Sequence, residues 1–194
     1  EYFMGSHDYN FHCGLTEVKQ NNKYGFVDKN GVVRIPIVYE SVGYFNENLV
    51  SVSINYKYGY LNNFGEIVVQ LIYDFATNFK DGFGEVSLGG KYGFVNKMGE
   101  LIIPCKFENV KCFSEGYAAV RLNNKFGFID TEGNLMIPYI FNNPYDGSFY
   151  KYDNTKYELY VFKNGECLVE FDKKFVVINK SGEVLREVDL TWYV

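Results

Sequence analysis

The side chains in this 194-residue chain that could carry acid–base, nucleophilic or metal chemistry are two histidines, four cysteines and a set of recurring carboxylates. The histidines are His7 and His12. His7 lies in EYFMGSH, residues 1–7, which reads as an appended tag and is left out of the fold. Any serine or cysteine nucleophile would therefore depend on His12. Cys13 adjoins it, but neighbouring residues of a strand point to opposite faces, which separates nucleophile from base. Cys13, Cys105, Cys112 and Cys167 form no CxxC pair and do not recur at one repeat position. They read as free thiols, not as a disulfide framework or a zinc set. No catalytic residue, no metal site and no cofactor is expected. The glycine-rich run GFGEVSLGGKYG (82–93) lacks the order G-x-x-x-x-G-K-[ST]. It falls between strands, so it offers no helix N-terminus to a phosphate. Glu47, Asp81 and Glu115 stand at one repeat position, one residue before a glycine or asparagine. A glycosidase needs one unique pair, so recurrence points to a turn role.

Composition narrows the partners. The formal net charge is −5, and all but three of the 19 basic residues are lysine. Nothing resembles the clustered Lys/Arg footprint of a nucleic-acid binder, or a basic patch for anionic lipid. No apolar run approaches the ~18 residues of a membrane span. No signal peptide is visible. At 47% hydrophobic and 19% aromatic, the chain can bury a sizeable core.

The elements that hold these residues are repeats. KYGFVDKNGVVRIP opens at Lys23, KYGYLNNFGEIVVQ at Lys57, KYGFVNKMGELIIP at Lys91 and KFGFIDTEGNLMIP at Lys125. A divergent copy, KFVVINKSGEVL, opens at Lys174 after a longer interval, which places an insertion in the fourth unit. The expected division is one repeat domain over 8–194. It has a partial unit at 8–22, regular units at 23–56, 57–90 and 91–124, an expanded unit at 125–173 and a divergent C-terminal cap at 174–194. Alternation at Val50/Val52/Ile54, Val33/Ile35 and their equivalents has the period of half-buried strands, not of helices. Each unit thus reads as a three-stranded antiparallel meander. Gly31, Gly65, Gly99 and Gly133 close turns opened by Asx residues. Gly14, Asn48, Gly82 and Gly116 mark a tight corner before the next strand. Pro36, Pro104 and Pro138 are expected to end a strand. Mid-strand Gly25, Gly59, Gly93 and Gly127 read as sites where a neighbouring ring or backbone comes close. The preceding ring (Tyr24, Tyr58, Tyr92, Phe126) is the candidate neighbour.

These features resemble the WG (KWG) repeat family, whose units read G-K-W-G-[FY]-I-D-x-x-G-x-x-[VI]-I-P. Residues 91–120 follow that pattern closely except at Tyr92, and the resemblance spans roughly residues 11–143, with an echo at 174–185. The family's tryptophan is Tyr24, Tyr58, Tyr92 or Phe126 here. The resemblance implies a bacterial tandem β-repeat scaffold, taken as an interaction module, with no catalytic motif to carry over. The expected fold is all-β, the meanders stacked as a curved open array or solenoid, with propeller-like closure as the alternative.

The irregular stretch is 144–171, with Tyr145, Phe149, Tyr150, Tyr152, Tyr157 and Tyr160. YELYVFKNGECLVEF reads as an added hairpin turning at Asn164-Gly165. The aromatics read either as a cap over an open end or as a platform for a ligand or partner. Trp192 reads as packing in the same cap. The functional expectation is a non-catalytic repeat scaffold that binds another protein. The alternative is carbohydrate or cell-wall binding through exposed rings, and an enzyme of unknown type comes last. Exposed edge strands would also be available for pairing between chains.

Overall fold

The computed structural model describes residues 11–142 and 158–188, and every described element is β. The chain divides into two compact units, Glu1–Cys105 and Lys106–Val194. The strands form five small antiparallel sheets. The first sheet holds β1 (Leu15–Gln20), β2 (Lys23–Asp28) and β3 (Val33–Tyr39). The second holds β4 (Ser41–Val42), β5 (Leu49–Ile54), β6 (Lys57–Asn62) and β7 (Ile67–Tyr73). The third holds β8 (Phe75–Ala76), β9 (Phe83–Leu88), β10 (Lys91–Asn96) and β11 (Leu101–Phe107). The fourth holds β12 (Asn109–Val110), β13 (Ala118–Leu122), β14 (Lys125–Ile129) and β15 (Leu135–Phe141). The fifth holds β16 (Glu166–Phe171), β17 (Lys174–Asn179) and β18 (Val184–Val188). The three-stranded meander is the common core, and the middle three sheets each add a two-residue strand.

The sheets are out of phase with the sequence units. β5 belongs to the unit opened by Lys23, yet it pairs with β6 from the unit opened by Lys57. The sheets also stack. Phe45 meets Phe26 of the first sheet edge-on, with centroids 5.0 Å apart, and Phe79 meets Tyr60 of the second at 4.7 Å. In the C-terminal unit Phe162 meets Phe128 at 5.1 Å. β5 is therefore buried on both faces, not half-buried as the alternation suggests. Truncating one of these rings to alanine would remove about 3–5 kcal/mol of burial and packing.

Within the strands one sequence expectation is corrected and one is decided between its alternatives. Pro36, Pro104 and Pro138 do not end a strand; each lies inside β3, β11 or β15. These are edge strands, and Pro36 falls in a register shift between Tyr24↔Tyr39 and Phe26↔Ile35, where a missing N–H is tolerated. Of ring and backbone, the neighbour of Gly25 is backbone. A Cβ there would lie 2.7 Å from the carbonyl oxygens of Ile35 and Pro36, so the bulge backbone itself fills the space. Gly59 and Gly93 face the equivalent backbone, and Gly127 faces it together with the Tyr139 ring. A second register shift, between Phe26↔Ile35 and Val27↔Val33, leaves Val33 exposed while Ile35 is buried.

The turns follow the sequence. Asp28 Oδ1 accepts the N–H groups of Asn30 and Val32, and Gly31 completes the turn at φ +75°. Asn48 holds φ +68° at the corner shared with Gly14, Gly82 and Gly116.

Candidate functional site

The corner carboxylates are not confined to their own turns. Glu47 accepts the N–H of Gly82, a corner one repeat later, and pairs with Lys97 at 2.7 Å. Glu115 accepts the N–H groups of Asn164 and Gly165 and pairs with Lys180 at 3.3 Å. The Gly165 N–H is the main cause that holds the Glu115 carboxyl below its ordinary range. Cys13 stands at the equivalent place and donates its thiol hydrogen to Asn48 Oδ1 at 3.3 Å. These residues link one sheet to the next.

A second clasp lies where the chain passes between sheets. Glu40 accepts the Tyr56 N–H and pairs with Lys23 at 3.1 Å. Asp74 pairs with Lys57 at 2.5 Å and accepts the Gly89 N–H at 2.7 Å. Both carboxyls titrate below their ordinary values, Glu40 mainly through the Tyr56 N–H and Asp74 mainly through Lys57. Glu108 accepts the N–H groups of Asn123 and Asn124. Of the three recurring corner acids, Glu47 and Glu115 are thus committed to backbone.

The thiols and the histidine are placed as follows. Cys167 is buried, Cys105 and Cys112 are half-buried, and Cys13 is exposed. Burial pushes the Cys167 and Cys105 thiols up, away from the reactive thiolate. His12 is exposed beside the first corner. Among the described residues no three His, Cys, Asp or Glu side chains gather as metal ligands would, and no helix is long and apolar enough to cross a membrane.

Aromatic rings make the candidate surface. Tyr24, Tyr58 and Tyr92 are half-buried, one per repeat. The Lys19 ammonium lies over the Tyr24 ring at 4.9 Å. Phe75 is exposed and lies 6.3 Å from Tyr58 and 6.4 Å from Tyr92, with planes crossing at 53° and 71°. Phe64 (77% exposed) and Met98 (75%) project from successive turn tips. Val33, Ile67 and Leu101 repeat an exposed aliphatic position on the edge strands.

Of the ligand-site residues read from the sequence, Tyr145, Phe149, Tyr150, Tyr152 and Tyr157 lie outside the described residues, as does Trp192. Tyr160 is described, and it is no exposed platform. It is 1% exposed, and its ring stacks on Phe126 with centroids 4.4 Å apart. Its hydroxyl donates to the Asn142 carbonyl and accepts the Glu170 N–H. The added hairpin is also corrected. Lys163-Asn164-Gly165-Glu166 is the ordinary corner, and β16 is the ordinary strand that follows it. Phe162-Lys163-Asn164-Gly165 repeats the F-x-x-G signature of 79–82 and 113–116, which places the inserted residues upstream of Phe162. Sequence reasoning passed over Phe75, because one ring in a two-residue strand carries no periodic signal.

The model of a family described as WG containing repeat matches residues 24–58, 58–92, 92–126 and 126–143. No curated protein matches significantly. Among solved structures, a eukaryotic initiation factor is similar at TM-score 0.55 and 12% identity, over 90% of this chain and 51% of that one. KlHsv2 with loop 6CD replaced by a Gly-Ser linker is similar at 0.51 and 8%, over 90% and 62%. Hsv2p of Kluyveromyces lactis is similar at 0.50 and 10%, over 93% and 61%. The chain spans about half to three fifths of the length of these structures, and at such identities the likeness is one of fold alone. With four consecutive repeats matched in order, the chain belongs to the WG containing repeat family.

Proposed function

We propose that the chain is a non-catalytic repeat scaffold whose row of half-open aromatic rings binds another protein. The supporting observation is the geometry of Tyr58, Phe75 and Tyr92. Their planes cross at 53° and 71°. A sugar platform wants a flat ring face laid open, whereas crossed rings make edges and recesses that suit inserted apolar side chains. Carbohydrate binding is the reading this geometry disfavours. An enzyme is the third reading, and Glu47 and Glu115 are already held by backbone N–H groups.

The test is retention of proteins on the immobilised chain, run against a Phe75→Ser variant and beside a glycan array. A protein retained by the parent and lost by the variant is expected. Glycan signal with no retained protein would overturn the reading.

A further inference from the structure

We propose that the recess between Tyr24 and Tyr58, floored by Ser41, receives one aromatic side chain carried by a partner polypeptide; this rests on the protein-binding reading above. The inference comes from equivalent places within the chain. In the third sheet Phe75 faces Ser87 across the β8–β9 ladder. Its ring lies against Tyr58 of the preceding sheet and Tyr92 of its own. One repeat earlier the same ladder position is Ser41, facing Ser53. Repeat geometry sets Ser41 between Tyr24 and Tyr58 as Phe75 is set between Tyr58 and Tyr92. Serine supplies a hydroxymethyl group where phenylalanine supplies a ring. Tyr24 has no ring neighbour among the described residues; its partner there is the Lys19 ammonium.

The C-terminal unit shows a ring laid against the residue equivalent to Tyr24 and Tyr58. Phe126 is the ring equivalent to Tyr24 and Tyr58, and it is buried. What covers it is Tyr160, stacked at 4.4 Å with planes 23° apart. The Tyr160 hydroxyl accepts the N–H of Glu170, whose ladder place is that of Ser53 and Ser87, at 3.2 Å. Tyr160 also donates its own N–H to the Leu168 carbonyl at 2.9 Å. Tyr160 stands at the backbone place of Gly43 and Thr77, so Phe75 is the residue that fills a recess from the Ser41 place, and Tyr160 shows a ring laid on the Phe126 place from two residues further along. The first recess lacks its occupant within the described chain, and the chemistry that fits is the same: an aromatic ring on a peptide.

The test is an amide-resolved NMR titration of the full chain with N-acetyl-L-phenylalaninamide. N-acetyl-L-leucinamide and methyl β-D-glucopyranoside serve as comparators. Saturable shifts at Ser41, Ser53 and Tyr58 are expected, at least fivefold tighter for the phenylalanine amide than for the leucine amide. Ser41→Phe should fill the recess and abolish them while melting no lower than the parent. Ser41→Ala should keep them. Absent shifts, shifts that survive Ser41→Phe, or a stronger response to the glucoside would overturn the site. Protein retention that Ser41→Phe leaves unchanged would overturn it too, while leaving the scaffold reading standing. Amide binding with no protein retained would support the recess and sink the reading beneath it.

Discussion

Gly25→Ala and Gly89→Asn should have opposite consequences to those a ranking by backbone angle would give. Gly25 has no left-handed φ, but a Cβ there would lie 2.7 Å from two carbonyl oxygens and 2.8 Å from the Ile37 Cα. Ordinary carbon contacts begin near 3.5 Å, so bulge backbone would have to move by roughly 0.7 Å. Overpacking of this kind costs about 1–3 kcal/mol, and here the obstacle is main chain with no rotamer to change. We expect about 3 kcal/mol, or a melting temperature about 6–12 °C lower for a chain of this length. Gly89 sits at φ +60° with nothing within 4 Å of a built Cβ. The same turn place is Asn55 at φ 51° and Asn123 at φ 50°, so asparagine already lives there. Gly89→Asn should stay within about 0.5 kcal/mol of the parent. Thermal melts followed by near-UV circular dichroism read both variants. Amide exchange at Phe26 and Ile35 shows whether loosening starts at the bulge. If Gly25→Ala melts within 2 °C of the parent, or Gly89→Asn falls as far as Gly25→Ala, the backbone-crowding argument is wrong.

The remaining predictions concern buried polar groups and titration. Tyr60 is fully buried and donates its hydroxyl to the Thr77 carbonyl at 2.6 Å, so Tyr60→Phe should cost about 1–2 kcal/mol in urea melts. A loss below the error of the melts would show that the bond contributes nothing. Aromatic-disulfide labelling should modify exposed Cys13 promptly and buried Cys167 only as the chain unfolds; equal rates would contradict the burial. Asp74 and Glu40 titrate below their ordinary 3.8 and 4.5, so their stabilisation is complete above those values and is lost as pH falls through the lower folded ones. Asp74→Asn should therefore melt lower than the parent at pH 7 and converge with it in strong acid, and parallel curves would remove the clasp from the account. Glu17 acts the other way, because burial raises its pKa and its contribution fades as pH rises through the folded value.

Features held by one or two neighbouring residues were readable in the sequence. An Asx side chain closing on its own backbone, as Asp28 does, leaves the same letters wherever it occurs. Features made by pairing were not. Nothing in Ser41–Val42 or Phe75–Ala76 is long enough to alternate, so the fourth strand was invisible. Pro36 read as a stop because a bulge depends on the strand opposite. Glu47 read as local because the corner it serves lies one repeat on. The F-x-x-G letters at 162–165 mark the last corner, but counting from the lysines made that stretch read as an added hairpin.

The offset between sequence unit and sheet bears on where specificity can reside. The chain leaves each edge strand and enters the next sheet across one residue: Glu40, Asp74 or Glu108. That residue grips backbone of the sheet it is entering, and Glu40 and Asp74 also grip a lysine of the sheet they leave. An exposed ion pair alone holds little, but a carboxylate that also accepts a backbone N–H has its geometry set. The crossings at Glu40 and Asp74 are thus fixed chemically as well as covalently. The residue right after it is Ser41, Phe75 or Asn109, three unlike side chains in one slot of a recurring frame. Where the frame repeats and the slot varies, the frame positions and the slot discriminates. Phe75 closes its own recess and Ser41 leaves one open. On the proposed reading, such a scaffold changes partner by changing the residue after the acid, without touching the core.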